Sequence, residues 1–419
     1  MRTDFGIVVI GGGLVGACTA ALAAAEPAFA NLPVALIEAN PLRAPPPPDV
    51  VDLRVSALSV ASARILDSFG AWSALDARYK GPYCDMVVWD AAGKPYGTAS
   101  IHFSASGSSE PNLGHIVENK RLLWCIYGTR AFRDGVSLLE GELASLDLDE
   151  ERAELTLTDG RKYTAQLVVG SDGAQSLSRK LAGIEVSCQD YDQAAFVTHV
   201  KTALPHRQTA WQRFLPDGPI AFLPLADGRS SIVWTTKPEH AQALVRDSAA
   251  RVEAELEAAI DGVLGKVTLD ADRVSIPLRM IHARRYCTER FVLVGDAAHT
   301  VHPLAGQGVN LGFLDSAALI EVLAEELTAG GTVETFCERR VLRRYERWRK
   351  SENTLALAFI DGLNRLFGSG SGVAASARRW GLGVVDQATP LKRFLMGRAM
   401  GTTGELPRLA LAHPGSRQR

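Results

Sequence analysis

Residues 290–315, RFVLVGDAAHTVHPLAGQGVNLGFLD, bring an acid, a run of glycines and two histidines into what reads as one strand–loop–helix connection. The apolar run 291–294 is expected to form a buried strand. Gly295-Asp296 closes it, which sets a carboxylate at the C-terminal edge of a sheet, where open α/β folds bind ligands. Gly306-Gln307-Gly308 then leads into Asn310 and a helix with Leu314, Leu319, Val322 and Leu323 on one side. Glycine lets backbone come close to a ligand. A helix start offers free N–H groups and the positive end of a dipole to an electron-rich group. Plain connections usually need only about 2–6 residues, so this longer loop argues for a ligand.

A second segment makes that ligand a dinucleotide. Residues 7–10 are an apolar strand, followed by Gly11-Gly12-Gly13-Leu14-Val15-Gly16 and an Ala-rich helix. This is G-x-G-x-x-G in its strand–turn–helix setting. Gly11 makes the turn, Gly13 admits a pyrophosphate, and Gly16 lets the helix pack on the strand. A second strand, 34–37, ends in Glu38, where a carboxylate binds a ribose 2′-OH and disfavours a 2′-phosphate. FAD or NAD is therefore expected rather than NADP. The same stretch superficially resembles a secretory leader ending at Ala28-Phe29-Ala30, but Asp4, the glycines and Glu38 fit the nucleotide fold better. A third strand, 167–169, delivers Gly170-Ser171-Asp172-Gly173, which alone reads equally as an Asp-Gly turn.

Together these motifs resemble the single-component FAD-dependent aromatic hydroxylases, whose pattern is G-x-G-x-x-G, then D-G, then G-D…P…G-Q-G-x-N. Gly295, Asp296, Pro303, Gly306, Gln307, Gly308 and Asn310 all match the last of these. Within that family the chain looks like the ubiquinone-biosynthesis hydroxylases, the UbiH/UbiF/UbiI (VisC) group. Arg54-Val55-Ser56-Ala57-Leu58-Ser59 with Phe69-Gly70-Ala71-Trp72 carries that likeness, as do Gly114-His115-Ile116-Val117-Glu118-Asn119 and Ala221-Phe222-Leu223-Pro224-Leu225. Asp217-Gly218-Pro219 and Arg343-Arg344-Tyr345-Glu346-Arg347 pull towards different members, so the ring position stays open.

The resemblance implies a Rossmann-like α/β FAD-binding domain, an inserted, mostly antiparallel β-sheet substrate domain, and a helical C-terminal region. The expected division is 1–80, 115–185 and 286–335 for FAD, 81–114 and 186–285 for the substrate, and 336–419 for the helical region. Turn signals support the sheets: Asp159-Gly160 and Asp227-Gly228 each separate apolar runs. Residues 333–367 read as one long amphipathic helix, ended by the glycine-serine run 368–372.

The resemblance also implies the reaction. NAD(P)H docks transiently and reduces the flavin, and a flavin C4a-hydroperoxide transfers oxygen to a phenol or benzoquinol ring bearing a polyprenyl tail. Gly11, Gly13, Gly16 and Glu38 are expected to hold the ADP half of FAD. Asp296 is expected at the ribityl or pyrophosphate region, and Gly306, Gln307, Gly308 and Asn310 against the isoalloxazine. Arg54 and either Lys120 or Arg121 are candidate flavin or pyridine-nucleotide contacts. The family often has an Arg where this chain has Lys120. Asp172 supports the NAD(P)H path or the flavin shell, or is simply a turn residue. Phe214, Phe222, Leu223 and Pro224 are candidate pocket walls, or core strand residues. No general base is identified; His299 and His302 read better as loop-fixing donors. Two other functions remain open, a hydroxylase of a small soluble phenol and a non-catalytic flavoprotein scaffold.

Composition narrows the classes. The 419 residues are 47% hydrophobic, ordinary for a globular protein of two or three domains. Six scattered cysteines form no C-x-x-C, so no metal centre or disulfide framework is expected, and a reducing cytoplasm is. No apolar run reaches membrane-spanning length. The net charge of −2 hides an asymmetry. From Arg339 onward 16 basic residues face 5 acidic ones, a net of +11, against 29 basic and 42 acidic, a net of −13, in the remainder. A basic end on an acidic body suggests an anionic membrane surface on the inner face, an acidic partner such as a ubiquinone-biosynthesis complex, or only a solvated helical face. No recognition motif for nucleic acid accompanies the charge.

Overall fold

The structure is a computed structural model that describes residues 3–97, 99–108, 110–301, 307–368, 396–398 and 400–412. Its first sheet is α/β in character. Parallel strands run in the order Phe291–Leu293, Lys162–Gly170, Phe5–Ile10, Val34–Glu38, Val136–Glu140. Parallel strands covered on both faces need near-continuous apolar sequence, and Ile7–Ile10, Val34–Ile37 and Leu167–Val169 are all buried. The Leu14–Ala25 helix covers one face. Its fully buried Ala17, Ala20, Ala21 and Ala23 let it lie close to the sheet and to the Gly308–Thr328 helix. The Asp159-Gly160 hairpin is present, with Gly160 at φ +88°, and it adds two antiparallel strands to this same sheet.

The second sheet has nine strands and is mostly antiparallel. The Val186–Thr202 strand is its axis, pairing with Ser230–Thr236 on one side and Val274–Ala283 on the other. The Asp227-Gly228 turn joins Gly218–Pro224 to Ser230–Thr236 as expected. Because side chains alternate across a strand, this sheet has two unlike faces. One buries Phe196, Phe222, Ile232, Trp234 and Trp89 against the Pro238–Arg246 and Ala249–Ala259 helices. The other carries smaller side chains and faces the first sheet across a cleft. A three-stranded antiparallel sheet of Val55–Ser59, Gly114–Glu118 and Gly81–Tyr83 adds to the cleft wall.

The long C-terminal helix is Arg339–Gly368, shorter at its start than the sequence pattern predicts. The preceding residues form turns instead. The Thr332 N–H donates to Thr335 Oγ1 at 2.8 Å, and Phe336 and Cys337 are buried. A local side-chain bond of this kind competes with helix. Ser369–Gly372, in the expected glycine-serine break, lie outside the described residues.

Candidate functional site

A cleft of about 1170 Å³ opens between the C-terminal edge of the first sheet and the small-residue face of the second. The first wall is mainly backbone. Gly11, at φ +97°, turns out of the first strand and leaves no space for a side chain, since a Cβ there would meet Asp172 N at 2.9 Å. At Gly16 a Cβ would lie 1.9 Å from the Gly11 carbonyl oxygen, so only glycine permits this helix-to-turn approach. At Gly13 a Cβ would meet nothing within 4 Å, and Gly13 lines the cleft. The helix that starts there has no acid in its first turn to compete for an anion. Glu38 also lines the cleft. It accepts from the Gly12 N–H at 2.6 Å and the Asn40 N–H at 2.8 Å, which clamps the glycine turn to the second strand.

A second helix reaches the same cleft from the other end. Gly308 and Val309 line it at the start of the Gly308–Thr328 helix, again with no acid in the first turn. Asp296 lies nearby. Protein crowding raises its carboxyl pKa; His299 and Arg54 pull it back and Asp315 adds to the rise. An open glycine cradle, two helix starts and Glu38 on one cleft suit the phosphates and ribose of a dinucleotide.

This arrangement is braced from behind by residues that sequence reasoning missed. Asp315 is fully buried in the middle of the long helix. It accepts from His299 Nε2 at 2.5 Å, Arg349 Nε at 2.8 Å, Asn353 Nδ2 at 3.1 Å and the Gly295 N–H at 3.1 Å. Burial alone would raise its pKa, but His299 and Arg349 overcome this and hold it at about 2. His299 is thus a loop-fixing donor, and His302 lies outside the described residues. Arg179 performs a similar service, donating to Ala297 O at 2.7 Å and Ala174 O at 2.9 Å. Ser171 donates to the carbonyls of Ile10 and Gly11 at 2.8 and 2.9 Å.

Several expected contacts sit elsewhere. Arg121 is buried, paired with Glu118 at 2.6 Å and donating to carbonyls of the proline run, at 2.7 Å for Pro47. It anchors that loop, whereas Lys120 and Arg54 line the cleft. Asn310 is spent internally: its Oδ1 accepts from Ser59 N–H and Ser62 Oγ, and its Nδ2 donates to Ala57 O. Asp172 lines the cleft, yet its carboxylate accepts from Ser176 Oγ, Ser178 N–H and Ser178 Oγ, in favour of the turn role. Gln307 precedes the helix as its N-cap. Pro303 and Gly306 lie outside the described residues. Of the pocket-wall candidates only Leu223 lines the cleft. Phe222 points the other way, into the core against the two helices, because strand pleating reverses neighbours. Phe214 packs with Val301, Leu311 and Leu357, and Pro224 is buried off the cleft. No cluster of metal-ligating side chains is present among the described residues.

Such a cleft, with a glycine-turn nucleotide fold on one side and an antiparallel sheet on the other, defines a dinucleotide-binding α/β protein whose nucleotide site faces a second, largely apolar wall. The FAD binding domain family matches residues 128–351. The 3-demethoxyubiquinol 3-hydroxylase of Escherichia coli (strain K12) is 36% identical over 94% of this chain and 98% of its own length. The human mitochondrial ubiquinone biosynthesis monooxygenase COQ6 is 33% identical over 95% and 92%. The p-nitrophenol 4-monooxygenase PnpA of Pseudomonas putida DLL-E4 shares the fold, with a TM-score of 0.75 at 19% identity over 97% of this chain and all of that one. The chain belongs to the FAD binding domain family and, within it, to the ubiquinone-biosynthesis hydroxylases. It is an FAD-dependent monooxygenase.

Proposed function

We propose that this chain hydroxylates the aromatic ring of a polyprenyl phenol or benzoquinol intermediate of ubiquinone biosynthesis, with O2 and NAD(P)H as co-substrates. The observation that carries this reading is one cleft lined both by the dinucleotide residues and by a largely apolar sheet face. FAD, when bound and reduced by NAD(P)H, supplies the oxygen-activating chemistry. The chain's residues do the rest. Gly11 makes the turn, Gly13 leaves the room in which backbone meets the pyrophosphate, Gly16 lets the helix pack on the strand, and Glu38 is the ribose acceptor. The first-turn N–H groups at Gly308 and Val309, which line the cleft at a helix start, would stabilise negative charge on the ring system when it is bound. Asp296 and Arg54 complete that end. Ala195, Val197, Ala221, Leu223 and Val233 keep water from the reacting ring.

The test is NAD(P)H oxidation by the FAD-loaded protein with a phenol bearing a short prenyl tail, read with ¹⁸O2 and mass spectrometry of the product. Stimulated oxidation with one labelled oxygen in the ring is expected. Absence of both overturns the reading.

We also infer peripheral attachment to an anionic membrane surface. No helix among the described residues is long and apolar enough to cross a membrane. Part of the basic excess is matched internally, since Arg340, Arg344 and Arg408 pair with Glu326, Glu325 and Glu321 of the preceding helix. Arg343, Arg347 and Lys350 remain along a groove beside Leu355, which with Phe359 is about half exposed. Sedimentation with anionic vesicles should fall with salt, since screening acts over roughly 8 Å at physiological strength. Reversing Arg343, Arg347 and Lys350 together to Glu should reduce it while FAD stays bound. Equal sedimentation at low and high salt would reject the attachment.

A further inference from the structure

The sheet face that lines the cleft is apolar across one row and polar across the next. Ala221, Val233 and Val197 are cross-strand neighbours in the first row. Leu223, Ser231 and His199 form the second. Ser231 and His199 are both fully buried. His199 Nε2 donates to the Asp52 carbonyl at 3.0 Å. Because a carbonyl can only accept, Nε2 carries a proton, and whenever the ring is uncharged Nδ1 is an acceptor. Nδ1 finds no partner among the described residues, and neither do Ser231 Oγ and Asp52 Oδ2. Ser231 and Asp52 line the cleft, and Lys120 Nζ lies 3.9 Å from the other Asp52 oxygen.

Buried polar atoms are normally satisfied, and an exception asks for an explanation. Here the three belong to adjoining residues: His199 and Ser231 are cross-strand neighbours, His199 reaches Asp52, and Ser231 and Asp52 line the cleft with His199 behind them, beside a wall of aliphatic side chains. Two are acceptors and the third, a hydroxyl, serves either way. The corner therefore calls for a ligand group that brings a proton. A phenolic O–H does so, whereas a methyl ether or a quinone carbonyl does not.

We propose that His199, Ser231 and Asp52 form an anchoring subsite for a ring hydroxyl of the substrate, with Leu223, Val233 and Val197 against the ring itself. This rests on the hydroxylase reading above. The three are positioning residues that orient the ring for attack at one carbon. A carboxamide N–H of the nicotinamide offers the same donor chemistry, so the experiment must separate the two sources.

FAD-loaded wild type, Ser231→Ala and His199→Phe are titrated with a short-chain prenyl phenol and with its O-methyl ether, read as perturbation of the flavin absorbance. Flavin reduction by NADPH and by NADH is timed without either compound. Wild type should bind the phenol about tenfold more tightly than the ether, as expected for one well-made buried hydrogen bond. Each variant should lose that preference through weaker phenol binding, with ether binding and flavin reduction unchanged. Ser231→Ala removes a single oxygen and keeps the question answerable if His199→Phe does not fold. Retained preference in Ser231→Ala overturns the subsite while the hydroxylase reading stands. Slower reduction with unchanged phenol binding assigns the corner to nicotinamide and overturns it likewise. Wild type that binds neither compound overturns both.

Discussion

The two walls of the cleft are built from different materials. On the first sheet's side the surface is backbone: glycine turns and two helix starts, where an added carbon either collides or intrudes. On the second sheet's side it is side chains, set by which residues of each strand point inward. The first wall tolerates almost no substitution at its turns but needs bracing from behind. The second tolerates exchange of similar volumes, and its properties depend on the parity of each strand.

The largest effect is expected behind the backbone wall. Arg349→Met leaves Asp315 and His299 buried without their cation and should cost about 3–5 kcal/mol of stability, read from the urea midpoint. Asp315 also predicts an acid limb. Its folded pKa is depressed from 3.8 to about 2, so its contribution is present above pH 3.8 and is lost as pH falls towards 2. Arg349→Met should flatten that part of the stability profile. An unchanged midpoint would show that the Asp315 cluster braces nothing.

Next comes the parity of the side-chain wall. Phe222→Ala should cost about 3–5 kcal/mol in unfolding experiments, as a large buried aromatic does, and leave the peroxide released per NAD(P)H unchanged. Leu223→Ala, half-buried at the cleft, should cost under about 2 kcal/mol and raise peroxide release. The reverse pattern would invert the assignment of the two faces.

Gly13→Val and Gly308→Val test the backbone wall directly. A Cβ at Gly13 meets nothing within 4 Å, and one at Gly308 meets only ordinary contacts, at 3.5 Å from Val301. Both variants should stay folded by circular dichroism and lose FAD affinity by at least about tenfold, roughly 1.4 kcal/mol. Gly16→Val, with a carbon 1.9 Å from the Gly11 oxygen, should instead lower stability itself. The smallest effect is Glu38→Gln, about 1 kcal/mol in FAD binding by flavin fluorescence.

The same contrast explains what was legible in the sequence. Gly11, Gly13, Gly16 and Glu38 follow one another in a short stretch, and the strands on either side of the turn are unmistakably apolar. The Asp159-Gly160 and Asp227-Gly228 hairpins announce themselves in the same local way. The second wall draws its residues from strands far apart in the chain. One register step separates Phe222 from Leu223, and the sequence names both as pocket walls without showing which of them points inward. Arg121 and Asn310 carry polar groups that suit a ligand, but their partners, Pro47 and Ser59, come close only in the folded chain. Asp315 sat in plain view within the motif, yet its role depends on Arg349, 34 residues further on and brought to it by a separate helix.

The Gly308–Thr328 helix spans roughly 30 Å by its 21 residues, and the two ends answer to different parts of the molecule. Its first turn borders the nucleotide cleft, and its last turns are held by arginines of the following helix. Anything that binds the folded form alone stabilises it by mass action, about 2.7 kcal/mol at one hundred times the dissociation constant. That gain counts against any opening in which the helix's first turn leaves the cleft. Openings of the Arg339–Gly368 helix that also undo the cleft should therefore be rarer with cofactor bound, and a protease cutting there would report how full the cleft is only to the extent that the two regions open together.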